Sequence, residues 1–513
     1  MKLKLWVKVV LAVLIAVGVG FWANALGWFD GNGGGSKTKT TKTTSTKKDK
    51  NTIVLGTNTF VGFGPYLWLN HGTEPNEDCP LYKEYGIKLK IVIQDDFPAG
   101  RAAFLNGDID AIYCTADSWP VECGSGSEMM NAGAVFFNIS NWSRGADAIV
   151  VKPHIKKVAD LRGKTIATSK GTASHSLLLN VLETSEVKAN DITIYEVESG
   201  VDAAQVFRAG KVDACVCYSP DDADLEAAGL GKVLVSTKQA SNIICDGLVA
   251  KKDYLEKNKE KVTKLIAALL WANTKMTDPN AVRETAKYFA RAYDTDEAFF
   301  IDGSKNVYYV TLGDEANFFG LDASFTGITG QELYSKMART YSSPALGRVR
   351  APLSWSKVST SEIIEGLMGE YNNLVKGNQD AETVHTFSRV TPAMETTAAI
   401  SNKKLTIEFQ TGSDILDHNA KNLIDREFVD IAKQFSGARI RIEGNTDNTG
   451  SDAVNRPLSK RRAEAVKNYL VSEYGFDPNR FVVVGNGSAH AIAAGSTGAD
   501  QRYRTTDFQL IAE

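Results

Sequence analysis

Between Thr52 and Tyr218 the chain twice repeats an alternation of short apolar strands with helices, a pattern that few folds accept. The first set reads as strand Thr52 to Gly56, a Gly-rich turn, a helix from Pro65, strand Lys88 to Ile93, a helix after Phe97-Pro98 and a short strand Ile109 to Tyr113. The second opens at Ala146 with the strand AIVV, turns at Asp160 to Gly163, and continues as strand Thr165 to Ala167, a helix from Ser174, strand Ile192 to Val197, helix Val201 to Ala209 and strand Val212 to Tyr218. Strands alternating with helices build parallel α/β units. Two sets in succession predict two α/β lobes forming a clamshell, with ligands bound beyond the carboxyl ends of the strands.

With 513 residues the chain should hold two or three domains. A formal net charge of -3 with both signs well mixed gives no sign of a nucleic-acid partner. Six cysteines (Cys79, Cys114, Cys123, Cys215, Cys217, Cys245) show no CxxC pair and no zinc-like spacing with histidine, so neither a metal nor a cofactor is expected. Cys215 and Cys217 stand two apart in an apolar run and read as small core residues on one side of a strand.

Lys2, Lys4 and Lys8 precede an uncharged run from Val9 to Phe29, about 21 residues and long enough to cross a bilayer. Residues 1–29 are therefore expected to be an uncleaved transmembrane anchor in the inner membrane, with Trp28 and Phe29 at the interface. A cleavable signal peptide is the rival, since Ala23-Asn24-Ala25 resembles a small-residue cleavage site. Residues 30–51 are a Gly/Thr/Lys tract that cannot bury a core, and predict a flexible spacer about 25 Å long on average.

Residues 52–375 form the expected large domain. Its loop Ser169, Lys170, Gly171, Thr172, Ala173, Ser174 combines backbone N–H groups, hydroxyls, a helix start and a lysine. That chemistry suits an anion, although an ordinary capped helix start reads equally well. Asp117, Asp221 and Asp222 oppose a plain anion and favour an amine or a zwitterion, with a helix cap after Pro220 as the bland reading of the last two. From Asp253 the chain turns helical, at Tyr254 to Lys275, Asn280 to Ala292, Thr329 to Tyr341 and Ser361 to Val375. Leu265, Ile266, Leu269, Leu270 and Trp271 make a broad apolar face that reads as core.

Five segments, GTNTFVGFGP from Gly56, AGRAAFLNGDIDA from Ala99, GADAIVVK from Gly145, VADLRGKTIATSKGTASH from Val158 and AAQVFRAGKVDACVCYSPDD from Ala203, come in the order seen in a known family. They resemble the substrate-binding proteins of nitrate, sulfonate and taurine-type ABC importers, a branch that includes pyrimidine-precursor binding proteins. The resemblance implies a type II periplasmic-binding-protein clamshell. It places Asn58, Thr59, Thr115, Asp117, Ser143, Gly171, Thr172, Ser174, Tyr218 and Asp246 near the cleft, with Lys170 added by the loop chemistry.

After a polar linker at 376–402, residues 403–513 read as strand Leu405 to Phe409, helix Ala420 to Phe435, strand Ala438 to Gly444, a loop, a helix, and strands Phe481 to Gly485 and Thr506 to Ile511. On that second helix Arg462 lies four residues from both Leu458 and Val466, on or beside the buried stripe and aimed back at the loop carrying Asp447. One carboxylate and one guanidinium together suit a zwitterion. Taken singly, the two are a turn former and an ordinary helix arginine.

The run Gly444, Thr446, Asp447, Gly450, Ser451, Asn455, Leu458, Ser459, Arg462, Ala463, Val466, Leu470 is similar to the signature of OmpA-like peptidoglycan-binding domains. The resemblance implies a small α+β domain whose Asp447 and Arg462 hold the diaminopimelate of a peptidoglycan stem peptide. Thr446, Asn455, Leu458 and Arg504 are expected around the same pocket. Where many members carry Asn-Arg-Arg before the last strand, this chain has Tyr503, Arg504, Thr505.

The expected whole is thus one transmembrane helix, a two-lobed α/β clamshell and an OmpA-like domain: a solute-binding protein for ABC-type import or sensing, held to the cell wall. Its small solute would be anionic or zwitterionic, with an ABC permease as the further partner. A passive tether between inner membrane and peptidoglycan is the alternative, with the clamshell as a protein-interaction module; an ion-driven stator would need an intramembrane carboxylate, which Val9 to Phe29 lacks. An enzyme is the third class. Fungal pyrimidine synthases resemble the same branch but carry a cysteine-rich run where this chain has only Cys245.

Overall fold

The computed structural model describes residues 49–346, 349, 351–383, 385–410 and 412–511. The expected anchor at 1–29 lies outside the described residues, as does nearly all of the tract that follows it. Among the described residues no helix is long and apolar enough to cross a membrane.

Three sheets organise the described chain. The first orders its six strands Val307–Tyr309, Ala134–Ser143, Cys245–Lys251, Ala111–Thr115, Thr52–Thr57, Lys88–Ile93. Thr52–Thr57 pairs in parallel with both Lys88–Ile93 and Ala111–Thr115, while Cys245–Lys251 runs antiparallel to its neighbours. The second sheet orders five strands Thr193–Glu196, Thr165–Thr168, Ala214–Tyr218, Asp147–Val151, Lys232–Ser236. Each sheet therefore has a parallel α/β part and an antiparallel return, and each anchors one lobe.

The return strands explain the hinge. The chain leaves the first lobe between Ser143 and Asp147 and comes back between Ser236 and Cys245, so two crossings join the lobes. Ser143 Oγ donates to Asp147 Oδ2 at 2.7 Å and lies 2.8 Å from Thr237 Oγ1, which also accepts from the Gly145 N–H at 2.8 Å. Small hydroxyls thus satisfy the backbone where both crossings meet.

Beyond the sheets, helix Lys259–Lys275 closes the first lobe, burying Leu265, Ile266, Leu269 and Leu270 as its apolar spacing demands. Trp271 stays half-buried, edge-on to Trp68 with ring centroids 5.2 Å apart. Cys215 and Cys217 are buried on one strand, and all six cysteines are free thiols.

The last domain has a four-stranded sheet in the order Ala399–Leu405, Thr506–Ile511, Arg439–Asn445, Phe481–Gly487. Its first strand runs Ala399–Leu405 and ends where the strand Leu405 to Phe409 was expected to begin, because Ser401, Lys403 and Leu405 alternate inward and Lys403 reaches Glu427. The segment before it is not free of the first lobe. The Gly313 N–H donates to Gln379 O at 2.9 Å and the Glu382 N–H to Asp314 Oδ1 at 2.7 Å. The expected helix Ala420 to Phe435 is continuous from His418 to Gln434 but widens into a π turn at Asp425–Val429.

Candidate functional sites

Two sites emerge, one between the lobes and one in the last domain. In the last domain, helix Asp452–Tyr474 crosses the strands closely at two glycines. A Cβ at Gly444 would stand 2.0 Å from Ser459 O, and one at Gly485 2.7 Å from Arg456 O. Arg462, on the same helix, reaches Phe409, Gln410 and Ser413, which follow the first strand of the domain.

In the loop that follows strand Arg439–Asn445, Asp447 is buried and heavily engaged. Its Oδ2 accepts from Arg504 Nε at 2.7 Å and its Oδ1 from Thr449 Oγ1 at 2.6 Å. Burial pushes the carboxyl up, yet these two donors and the charge of Arg504 outweigh it and hold it below the usual range. Arg462 donates to Ser413 O at 3.0 Å and to Gln410 O at 3.3 Å, and its guanidinium lies 4.7 Å over the Phe409 ring. Among the described residues no carboxylate lies within 4 Å of it. Burial and the repulsion of Arg504 lower its pKa, while Asp447 and Asp414 oppose that shift. Arg504 thus takes Asp447, and the positive charge of Arg462, held only by carbonyls and a ring, suits a ligand carboxylate.

Asn455 Nδ2 pins the loop through Asp447 O at 3.3 Å and Gly450 O at 3.0 Å. Leu458 and Thr446 are buried beneath the site. Of the six residues expected here, Asp447, Arg462 and Arg504 converge and the other three support them. Thr449 and Phe409 were missed; Thr449 stands two residues after Asp447, a spacing typical of side-chain turns.

Between the lobes lies a cavity of about 490 Å³. Eight of the residues expected there line it: Asn58, Thr59, Thr115, Gly171, Thr172, Ser174, Tyr218 and Asp246. Three others do not. Lys170 turns to Glu196 at 2.9 Å, Ser143 is taken by the hinge, and Asp117 is fully buried behind the wall. Helix Ala173–Glu183 points its N-terminus at the cavity, and Thr172 makes no side-chain cap there.

The charges on this wall were largely missed. Asp95, Glu122, Asp147, Glu198, Asp221 and Asp246 line the cavity, against Arg101 as the cation among the lining residues. Arg101 is already occupied, since its Nε bonds Glu122 Oε2, its Nη2 lies 2.6 Å from Glu122 Oε1, and its Nη1 donates to Tyr113 O at 3.0 Å. Asp95 accepts from the N–H and hydroxyl of Thr59, both at 2.7 Å. Burial pushes Asp147 up to about 7, opposed by the Ser143 hydroxyl and assisted by Asp117 and Asp222. Burial, then repulsion from Asp147 and Asp117, pushes Asp246 well above the carboxylate range. The position of Asp95 at the carboxyl end of strand Lys88–Ile93 was a usable signal.

Residues 81–281 match the NMT1/THI5-like family and residues 408–505 the OmpA family. The chain joins an NMT1/THI5-like domain to an OmpA domain. Over 72 residues the OmpA part is 40% identical to outer membrane porin F of Pseudomonas aeruginosa, covering 14% of this chain and 21% of that one. Over 68 residues it is 44% identical to the peptidoglycan-binding protein ArfA of Mycobacterium tuberculosis, covering 13% of this chain and 21% of that one. The chain spans about a fifth of the length of these two relatives. Among solved structures, the periplasmic aliphatic sulphonate binding protein SsuA from Escherichia coli superposes with a TM-score of 0.48 at 21% identity, over 60% of this chain and 97% of its own. The desulfurization enzyme DSZB gives 0.43 at 12% identity, over 63% and 100%.

Proposed function

We propose that this protein is a solute-binding protein of the cell envelope, one that closes its two lobes on a small charged molecule for ABC-type import or sensing and is held to peptidoglycan by its last domain. The observation that carries this reading is the cavity itself, walled by strand ends and a helix N-terminus and spanned by two hinge crossings. Such a wall grips a solute from both sides and closes by rotation about the crossings. In the last domain, the ligand carboxylate of a diaminopimelate stem peptide lies on Arg462 and its ammonium competes with Arg504 for Asp447. The OmpA resemblance and the periplasmic-binding fold together support an envelope location, with residues 1–29 as the inner-membrane anchor and an ABC permease as partner.

The reading includes no catalysis. Cys245, the cysteine nearest the place where the synthases are cysteine-rich, is fully buried, and burial and neighbouring carboxylates push its thiol far up. A thiol so held is a poor nucleophile.

Mass spectrometry of the full-length protein, purified natively and then denatured, tests the cleft. A single stoichiometric solute is the expected result. No released solute, together with no binding to sacculi, would leave the assignment without support; sacculus binding alone would favour the passive tether.

A further inference from the structure

Resting on the solute-binding reading, the charge of the cavity narrows the class of solute. The sequence left three classes open, a plain anion, an amine and a zwitterion. Six carboxylates and one guanidinium line the space, and Glu122 already neutralises that guanidinium. Thr59 engages Asp95, and Ser143 donates to Asp147. Asp246 is different. It is 5% exposed, it faces the cavity, and among the described residues its carboxylate meets no hydrogen-bond donor and no cation. A buried carboxylate left alone is costly unless a partner arrives or a proton neutralises it.

The same cavity has aromatic walls. Phe60, Phe97, Tyr113, Tyr218 and Phe299 all line the same cavity, and ring faces attract cations as well as apolar carbon. A nitrate or a simple sulfonate would find no unpaired cation among the lining residues, and the carboxylates of Asp221 and Glu198 would repel it. The uncapped N-terminus of Ala173–Glu183 is the one feature that welcomes negative charge, and it lies on the second lobe.

We propose that the cleft takes a solute bearing a cationic nitrogen, an ammonium or amidinium, held by Asp246 and Asp147 between aromatic walls. Any acid group on the same molecule lies against the Ser169–Ser174 loop.

Calorimetric titration of the full-length protein with 1,4-diaminobutane, taurine and ethanesulfonate tests this. These probes carry, in turn, cationic nitrogen alone, cationic nitrogen with a sulfonate, and a sulfonate alone. Binding of either amine at least tenfold tighter than ethanesulfonate supports the proposal, and preference between the two amines tells whether the loop takes an acid. The Asp246→Asn variant should then bind the preferred amine at least tenfold more weakly; Asp221→Asn, at the half-buried rim, provides a second variant with a smaller loss. Tighter binding of ethanesulfonate overturns the cationic solute and leaves the solute-binding reading standing. Silence from all three probes also overturns it, and the solute released on denaturation then decides the broader reading separately.

Discussion

Arg504 Nη2 lies 2.6 Å from Asp447 Oδ2, so the aspartate of the last domain is already paired before any ligand arrives. The pair sets both the acidity of the site and the competition a ligand ammonium meets. Replacing Arg504 with Gln removes a charge and two donors, and the Asp447 carboxyl should then rise toward its ordinary value near 3.9. A carboxyl depressed by folding contributes stability above its unfolded pKa and loses it as the pH falls through the folded value. In the variant that contribution is smaller and is lost at higher pH. Carboxyl carbon shifts of Asp447 followed through an acid titration read this directly, and identical midpoints in the two proteins would exclude Arg504 as the cause.

Arg462 carries the other half of the site. It is held by two carbonyls and the Phe409 ring rather than by a carboxylate, so its guanidinium faces an incoming acid without first breaking an ion pair. Arg462→Ala should weaken sacculus binding by about thirtyfold or more, the order expected when a charge-assisted contact of 2 kcal/mol or more is lost. The fold should survive. Arg461, an exposed neighbour 3.4 Å from Asp414, makes the control, and Arg461→Ala should bind sacculi normally in the same sedimentation assay.

What the sequence disclosed, and what it hid, divides along local and distant effects. Strand and helix alternation from Thr52 to Tyr218 is written in periodicity, and the place of Arg462 beside the buried stripe in a four-residue helical spacing. Neither needed knowledge of a distant partner. Arg504 was expected near the pocket, but that it and not Arg462 grips Asp447 depends on where strand Thr506–Ile511 begins. Lys170 looked like the cation of the cleft, and only its meeting with Glu196, the last residue of the neighbouring edge strand, removes it. Asp147 and Asp246 stand 99 residues apart in the chain and become cavity neighbours only through the hinge.

Glu315 is a second buried acid with a measurable signature. It is fully buried, with Oε1 accepting from Asn138 Nδ2 at 2.8 Å and Oε2 from the Ile139 N–H at 3.0 Å. Burial pushes it up to about 8, more than those bonds lower it. The folded protein therefore holds this proton more tightly than the unfolded chain, and stability from this group falls as the pH rises from about 4.5 to about 8. Glu315→Gln cannot ionise, and Asn138 Oδ1, without a partner among the described residues, can accept from the new amide once the Asn138 amide turns over. Urea unfolding should show the variant within about 1 kcal/mol of the parent at pH 5 and more stable by a few kcal/mol at pH 9. Parallel pH profiles would mean that Glu315 does not titrate in this range.

The last domain is docked on the second lobe, and one glycine permits it. The Asn242 N–H donates to Gln434 O at 3.0 Å, the Gly437 N–H to Ser241 Oγ at 3.0 Å, and Ser241 Oγ lies 2.6 Å from Ser436 Oγ. Lys433 pairs with Glu332 at 2.8 Å beside this seam. A Cβ at Gly437 would stand 2.0 Å from Lys238 O, a backbone atom that cannot swing aside as a side-chain tip would. Gly437→Val must therefore separate the surfaces, at a cost of about 1–3 kcal/mol for overpacking. The amides of Asn242 and Gly437 should exchange at least tenfold faster, while those of the first-lobe strands Ala111–Thr115 and Cys245–Lys251 stay protected. Titration of the preferred solute into the same variant then separates two kinds of linkage. The seam holds Ser241 and Asn242, which lie on the return crossing of the hinge, so docking restrains the crossing that must rotate for closure. Unchanged affinity would mean that the wall-binding domain only anchors; altered affinity, with exchange faster at the seam alone, would mean that anchoring and solute capture share one conformational equilibrium.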